Sequence, residues 1–157
     1  MKQRKAIAMV AHDNRKKDIV EWAEFNYKIL IEHDLICTGT TGNLIEAALK
    51  NKLDYRDDEI QLNITKLKSG PLGGDQQMGS LICEGRIDYI IFLWDPMEPQ
   101  PHDVDVKALL RIAAVYNIPM ATNRSTADFI ISSPLFNSNY RPIVKGFSEY
   151  LNRVVDL

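Results

Sequence analysis

Short apolar runs rich in β-branched and aromatic residues alternate along the chain with longer stretches of helical spacing. This is the sequence form of a parallel sheet flanked by helices. Lys5 to Val10 reads as a first strand, and Asp18 to His33 places Ile19, Trp22, Ala23, Ile29 and Leu30 near helical spacing. Leu35 to Thr38 reads as a second strand, running into the polar turn Gly39 to Asn43 and a helix from Leu44 to about Leu49. A third element ends at Ser69, Gly70 and Pro71, and Asp75 to Glu84 is helical in pattern. Ile87 to Trp94 is an unbroken apolar run, as expected of a central strand buried on both faces, and it stops at Asp95 and Pro96. Asp103 is placed to cap a helix from Val106 to about Tyr116, and Ile118 to Thr122 makes a fifth strand. A short helix at Thr126 to Ser132, a strand at Pro142 to Lys145 and a helix from Phe147 to Val155 end the pattern. The charged stretch from Lys50 to Gly70 carries both helix and strand signals and reads as a solvated loop or an extra hairpin. The expected architecture is a three-layer α/β/α sandwich, Rossmann-like, with a mostly parallel sheet of about five strands.

Composition narrows the function. The 157 residues fit one compact domain, taken as residues 1–157. A net charge of −2 with interspersed acids and bases gives no field to gather a polyanion, so nucleic acid is not an expected partner. Cys37 and Cys83 lie in apolar stretches without a CxxC spacing, which suits buried thiols in a reducing cytoplasm. No run approaches the roughly 18 to 20 apolar residues of a membrane span, and the N-terminus lacks the form of a secretion signal.

Ligands of open α/β sheets bind outside the carboxyl ends of the strands. Four such ends carry polar residues: His12, Asp13 and Lys16; Thr38, Gly39, Thr40, Thr41 and Gly42; Ser69, Gly70 and then Asp75; and Asp95, with His102 and Asp105 beyond. Thr38 to Asn43 fits an anion cradle, where glycines admit close approach, hydroxyls donate and a helix start presents free N–H groups. It also fits an ordinary turn and N-cap, and it has neither the Walker nor the GxGxxG spacing. Asp75 fits a catalytic carboxylate and equally an acid on a helix macrodipole. His12 and His102 have no ligand-like spacing, and no metal site is expected.

Taken in order, VAHDNRKK, CTGTTGN, SGPLGGDQQMGSLI, FLWDPMEPQPHDVDVKALLRIA and IPMATNRSTADFII resemble methylglyoxal synthase from Ala6 to about Ser133. The resemblance implies a lyase that converts dihydroxyacetone phosphate into methylglyoxal and inorganic phosphate through an enediolate. It implies substrate binding by His12, Lys16, Thr38, Gly39, Thr40, Thr41, Ser69, Gly70 and His102. Asp75 is the implied catalytic carboxylate, with Asp95, His102 and Asp105 beside it. It also implies a homohexamer, no metal or organic cofactor, and inhibition by inorganic phosphate. The stretch Lys50 to Lys68 and the C-terminal tail depart from the family pattern. A regulatory module that only binds a phosphorylated metabolite is the alternative, and a receiver domain is a weaker one, since it wants paired acids where His12 and Asp13 stand.

Overall fold

The computed structural model describes residues 4–53, 60–99 and 103–155. Five strands, β1 (Ala6–Ala11), β2 (Asp34–Thr38), β3 (Asn63–Leu67), β4 (Tyr89–Leu93) and β5 (Met120–Ala121), form one sheet in the order β3-β2-β1-β4-β5. Every pairing is parallel, with Ala8 opposite Ile36 on one side and Ile90 on the other. The chain winds outward from β1 to β3, crosses back, and continues through β4 to β5. All strand ends that carry the polar residues therefore open on one edge of the sheet.

The period-two alternation of β1 assigns the two cores. Ile7, Met9 and Ala11 face α1 (Lys16–Phe25), α2 (Tyr27–Leu30), α3 (Gly39–Lys52) and α6 (Arg124–Ser132), among Ile19, Trp22, Leu30, Ile45 and Ala127. Ala8 and Val10 face α4 (Gly74–Cys83) and α5 (Asp103–Val115), among Met78, Ile82, Val106 and Leu109. All five residues of β4 are buried, in keeping with a central strand covered on both faces. The α/β/α sandwich expected from the sequence is the observed architecture.

Several boundaries differ for local physical reasons. The expected helix Asp18 to His33 breaks at Asn26, whose side-chain Nδ2 and backbone N both donate to the Trp22 carbonyl, at 2.9 and 3.1 Å. Its amide competes with the helical ladder, a common property of Asn. The residues Gly39 to Asn43 form the first turn of α3 rather than a turn before it. Helix α3 runs on to Lys52, and the ambiguous charged stretch supplies β3, an edge strand in which no residue is buried. The expected strand Pro142 to Lys145 does not form: Pro142 has no N–H to donate, and no strand lies alongside it among the described residues. The last helix shrinks to α7 (Ser148–Leu151), which has no buried face to hold a longer one.

The two thiols sit in opposite settings. Cys37 is fully buried on β2, and desolvation pushes its pKa up to about 12, whereas Cys83 is exposed at the end of α4. Alkylation of the folded protein near neutral pH is expected to modify Cys83 and spare Cys37. Peptide mass mapping before and after denaturation checks this, with Cys37 labelled only after unfolding.

Candidate active site

A cavity of about 300 Å³ opens over the carboxyl ends of β1, β2 and β3. Its walls come from three consecutive loops: Ala11, His12, Asp13 and Lys16; Thr38, Gly39, Thr40 and Thr41; Ser69, Gly70, Pro71 and Asp75. Seen from the sequence, this brings together eight of the expected binding residues and one of the expected catalytic acids.

The first loop supplies the charge. After β1, His12 leads into a 3-10 turn (Asp13–Arg15) that hands directly to α1. Lys16 Nζ donates to the Ala11 carbonyl at 2.9 Å and pairs with Asp13 Oδ1 at 3.0 Å. The ammonium beside Asp13 holds that carboxyl below its usual range. An ammonium has three donors, so one remains for a ligand after these two contacts. Asp13 is almost fully exposed and well screened, which leaves the lysine charge available to an incoming anion. The His12 ring is locked from two sides. Its Nδ1 accepts a hydrogen bond from the Asp95 backbone N at 3.0 Å, and its edge meets Phe92 at a centroid distance of 5.6 Å. Because Nδ1 must offer a lone pair to that N–H, the ring proton sits on Nε2, a donor for an oxygen ligand.

The second and third loops are laced together by glycine. Helix α3 begins directly after β2, and Thr38, the last residue of that strand and the extended N-cap of the helix, makes no side-chain capping bond. Gly39 N donates to the Lys68 carbonyl at 3.2 Å, leaving the N–H groups of Thr40 and Thr41 as first-turn donors facing the cavity. Gly39 has φ of +39°, and a Cβ there would stand 2.7 Å from Ser69 Cα. Only glycine lets the β2 and β3 ends approach this closely. Thr41 Oγ1 donates to the Ala11 carbonyl at 3.4 Å, tying α3 to the end of β1.

Asp75 lies in the first turn of α4 and is only 5% exposed. It borders the main cavity and, on its other side, a smaller one of about 240 Å³ between α4 and α5. Asp105 lines the smaller cavity and accepts a hydrogen bond from Gln76 Nε2 at 2.7 Å. It thereby braces α5 against the helix that carries Asp75, and it does not line the main cavity. Asp95 is 7% exposed, and its carboxylate accepts from Asn14 Nδ2 at 2.8 Å and from the Met97 N–H at 3.0 Å. The Asn14 bond, followed by the Met97 one, lowers its pKa. Asp95 thus stands behind His12 as a support, off the main cavity wall. His102 lies outside the described residues. Asn14 was not singled out by sequence; it also donates to Glu98 and so links the β1 loop to the β4 loop. Its place two residues after His12 was the only available signal.

This is an α/β domain whose main cavity sets a lysine ammonium and an open helix start beside a buried carboxylate. A family profile described as MGS-like domain matches residues 18–122. Methylglyoxal synthase of Maridesulfovibrio salexigens is 52% identical, over 98% of this chain and 99% of the relative. That of Coxiella burnetii is 48% identical, over 96% and 98%. The crystal structure of methylglyoxal synthase from Elizabethkingia anophelis superposes with a TM-score of 0.83 at 47% identity, covering 98% of this chain and 93% of that one. The chain belongs to the methylglyoxal synthase family.

Proposed function

We infer that the chain is a methylglyoxal synthase, a phosphate-eliminating carbon–oxygen lyase, and that its substrate is dihydroxyacetone phosphate. The observation that carries this reading is Asp75, a buried carboxylate on the wall of the cavity that also holds the Lys16 ammonium and the open start of α3. A module that only binds phosphate gains nothing from such a group, since a carboxylate repels the anion. A lyase needs it as a base.

In the proposed reaction the phosphate rests on Lys16, on the Thr40 and Thr41 N–H groups and on the hydroxyls around them. Asp75 takes a proton from the hydroxymethyl carbon, and the electron pair moves to the ketone oxygen, giving an enediolate. Donors held rigidly before the reaction stabilise that oxygen best, and the locked Nε2–H of His12 is one of them. The enediolate then re-forms a carbonyl at the former hydroxymethyl carbon as the bond to the phosphate oxygen breaks. The enol of methylglyoxal and inorganic phosphate result, and protonation of the enol carbon completes methylglyoxal. No other reactant is consumed. His102 is assigned to proton transfer between the two substrate oxygens, and Asp105 and Asp95 to positioning. Inhibition by the product phosphate, a homohexamer and a cytoplasmic setting belong to the same reading.

Purified protein mixed with dihydroxyacetone phosphate in the presence of EDTA is expected to release methylglyoxal and phosphate in equal amounts. Saturable binding of phosphate compounds without release would leave only the regulatory module. Lys16→Met keeps the aliphatic stem and removes the charge. It is expected to raise KM, and to weaken inorganic phosphate binding, by about tenfold or more, the scale of one charge-assisted contact. Steady-state kinetics and calorimetric titration check this, and an unchanged KM would take Lys16 out of the cradle.

A further inference from the structure

Strands β1 and β4 lie side by side in parallel register, Ala11 opposite Leu93, so the loops that leave them start together. His12 is tied to the β4 side twice. Its backbone N donates to the Leu93 carbonyl at 3.1 Å, and its ring Nδ1 accepts the Asp95 N–H at 3.0 Å. How firmly that N–H stays on the ring depends on how firmly Asp95 is held, and its carboxylate is held at both oxygens. Oδ1 accepts the Met97 N–H from within the same loop, and Oδ2 accepts Asn14 Nδ2 from the β1 loop. The Asn14 amide nitrogen carries two hydrogens, and it donates also to Glu98 Oε2, three residues beyond Asp95. A neutral amide thus sits between two carboxylates that would otherwise repel each other. Turned over, it would set its carbonyl oxygen against both, so its orientation is fixed by their charge. Hydrogen bonds to ionised acceptors are the strong ones, and the Asn14 bond is the foremost cause of the lowered Asp95 pKa.

We propose that Asn14 is a positioning residue for the elimination: by clamping Asp95 and Glu98 it keeps the Asp95 N–H on His12 Nδ1, and so keeps the Nε2 proton of His12 aimed at the developing enediolate oxygen. This role rests on the lyase reading and adds to it the residue that fixes the tautomer and direction of an oxygen donor. Asn14 lies off the wall of the main cavity, which His12 lines, so its effect passes through the ring. Without the clamp Nδ1 loses its fixed donor, and the imidazole is free to carry its proton on either nitrogen. A ring in the wrong tautomer presents a lone pair to the enediolate oxygen instead of a proton, which removes a contact made in the transition state.

The test is a double-mutant cycle on turnover of dihydroxyacetone phosphate by the full chain, with inorganic phosphate binding measured alongside. Asn14→Ala removes the amide, whereas Asn14→Asp keeps its shape and places a third carboxylate beside Asp95 and Glu98. Asn14 is exposed, so neither change touches the core. Asn14→Ala is expected to lower kcat about tenfold, within the range of coupling inside one hydrogen-bond network, and Asn14→Asp to lower it further. KM and phosphate binding should stay near those of the wild type. A general loosening of the loop would weaken both, because Lys16 of the cradle is two residues away. In a His12→Ala background there is no ring to aim, and Asn14→Ala should cost little more. Removing one oxyanion donor typically costs about 10² to 10³ in kcat, which leaves that background a measurable rate. Unchanged kcat in either Asn14 variant, a loss that falls on KM and phosphate binding, or an equal loss in the His12→Ala background would overturn the proposal and leave the lyase reading standing. A wild type without turnover would overturn both.

Discussion

Replacing Asp75 with asparagine is expected to lower turnover of dihydroxyacetone phosphate by about 10² to 10⁴, the usual contribution of a positioned general base. The amide keeps the volume of the side chain and so keeps the packing of the first turn of α4, where Asp75 is 5% exposed. It cannot take a proton. Binding of inorganic phosphate should survive and even tighten, since the substitution removes a negative charge from the wall of an anion cavity. The loss should therefore fall on kcat with KM little changed, which is how an interaction made only in the transition state behaves. Parallel kinetics and phosphate titration separate this outcome from misfolding. If Asp75→Asn turned over normally, the base would have to be sought elsewhere.

The largest structural effect is expected at Gly74. A Cβ at this position would lie 2.0 Å from the Lys68 carbonyl oxygen, 2.9 Å from its carbon and 3.0 Å from the Ser69 carbonyl carbon. All three are backbone atoms, so no side chain can swing away. The same loop is pinned on its other side, because Gly39 N donates to the Lys68 carbonyl and Gly74 N to the Ser69 carbonyl at 2.9 Å. Gly74→Ala should therefore cost about 3 kcal/mol or more, at the upper end of overpacking penalties. It should also weaken phosphate binding, because the strain is released into the Ser69–Gly70 wall of the cavity. Gly79→Ala, five residues along the same helix, is the control: nothing lies within 4 Å of the place its methyl group would take, and alanine favours a helix by up to about 1 kcal/mol over glycine. Denaturant melts of the two variants should move in opposite directions.

The fold was legible in the sequence where burial imposes a period. The Ile87–Trp94 run could only be a strand covered on both faces, and β4 is one, within a residue or two. Legibility failed where backbone hydrogen bonding outweighs composition. Gly39 to Asn43 has the composition of a turn, but the close approach of Gly39 to Ser69 lets a helix start directly after β2. That difference bears on function, because it is the helix start that gives the threonine N–H groups to the cavity. The C-terminal strand and helix were read from alternation that has no core to face, since residues 143–155 are all exposed.

The site was legible through the order of its motifs more than through any single residue. Asp75, Lys16 and the threonines converge as the strand-end rule requires. The resemblance singled out Asp75, but composition and spacing alone do not assign which carboxylate lines the cavity. Asp95 and Asp105 look equivalent to Asp75 in one dimension. In the fold, Asp95 is engaged by Asn14 and Met97 behind His12, and Asp105 by Gln76 on the far side of α4. Only the tertiary arrangement shows that Asp75, and neither Asp95 nor Asp105, lines the main cavity.

The central claim is proton abstraction next to a ketone followed by loss of phosphate, and running the reaction in deuterium oxide tests it most directly. Early product should be methylglyoxal carrying one solvent deuterium in its methyl group, with an equal amount of phosphate. Dihydroxyacetone and phosphate, the products of simple hydrolysis, would contradict the account.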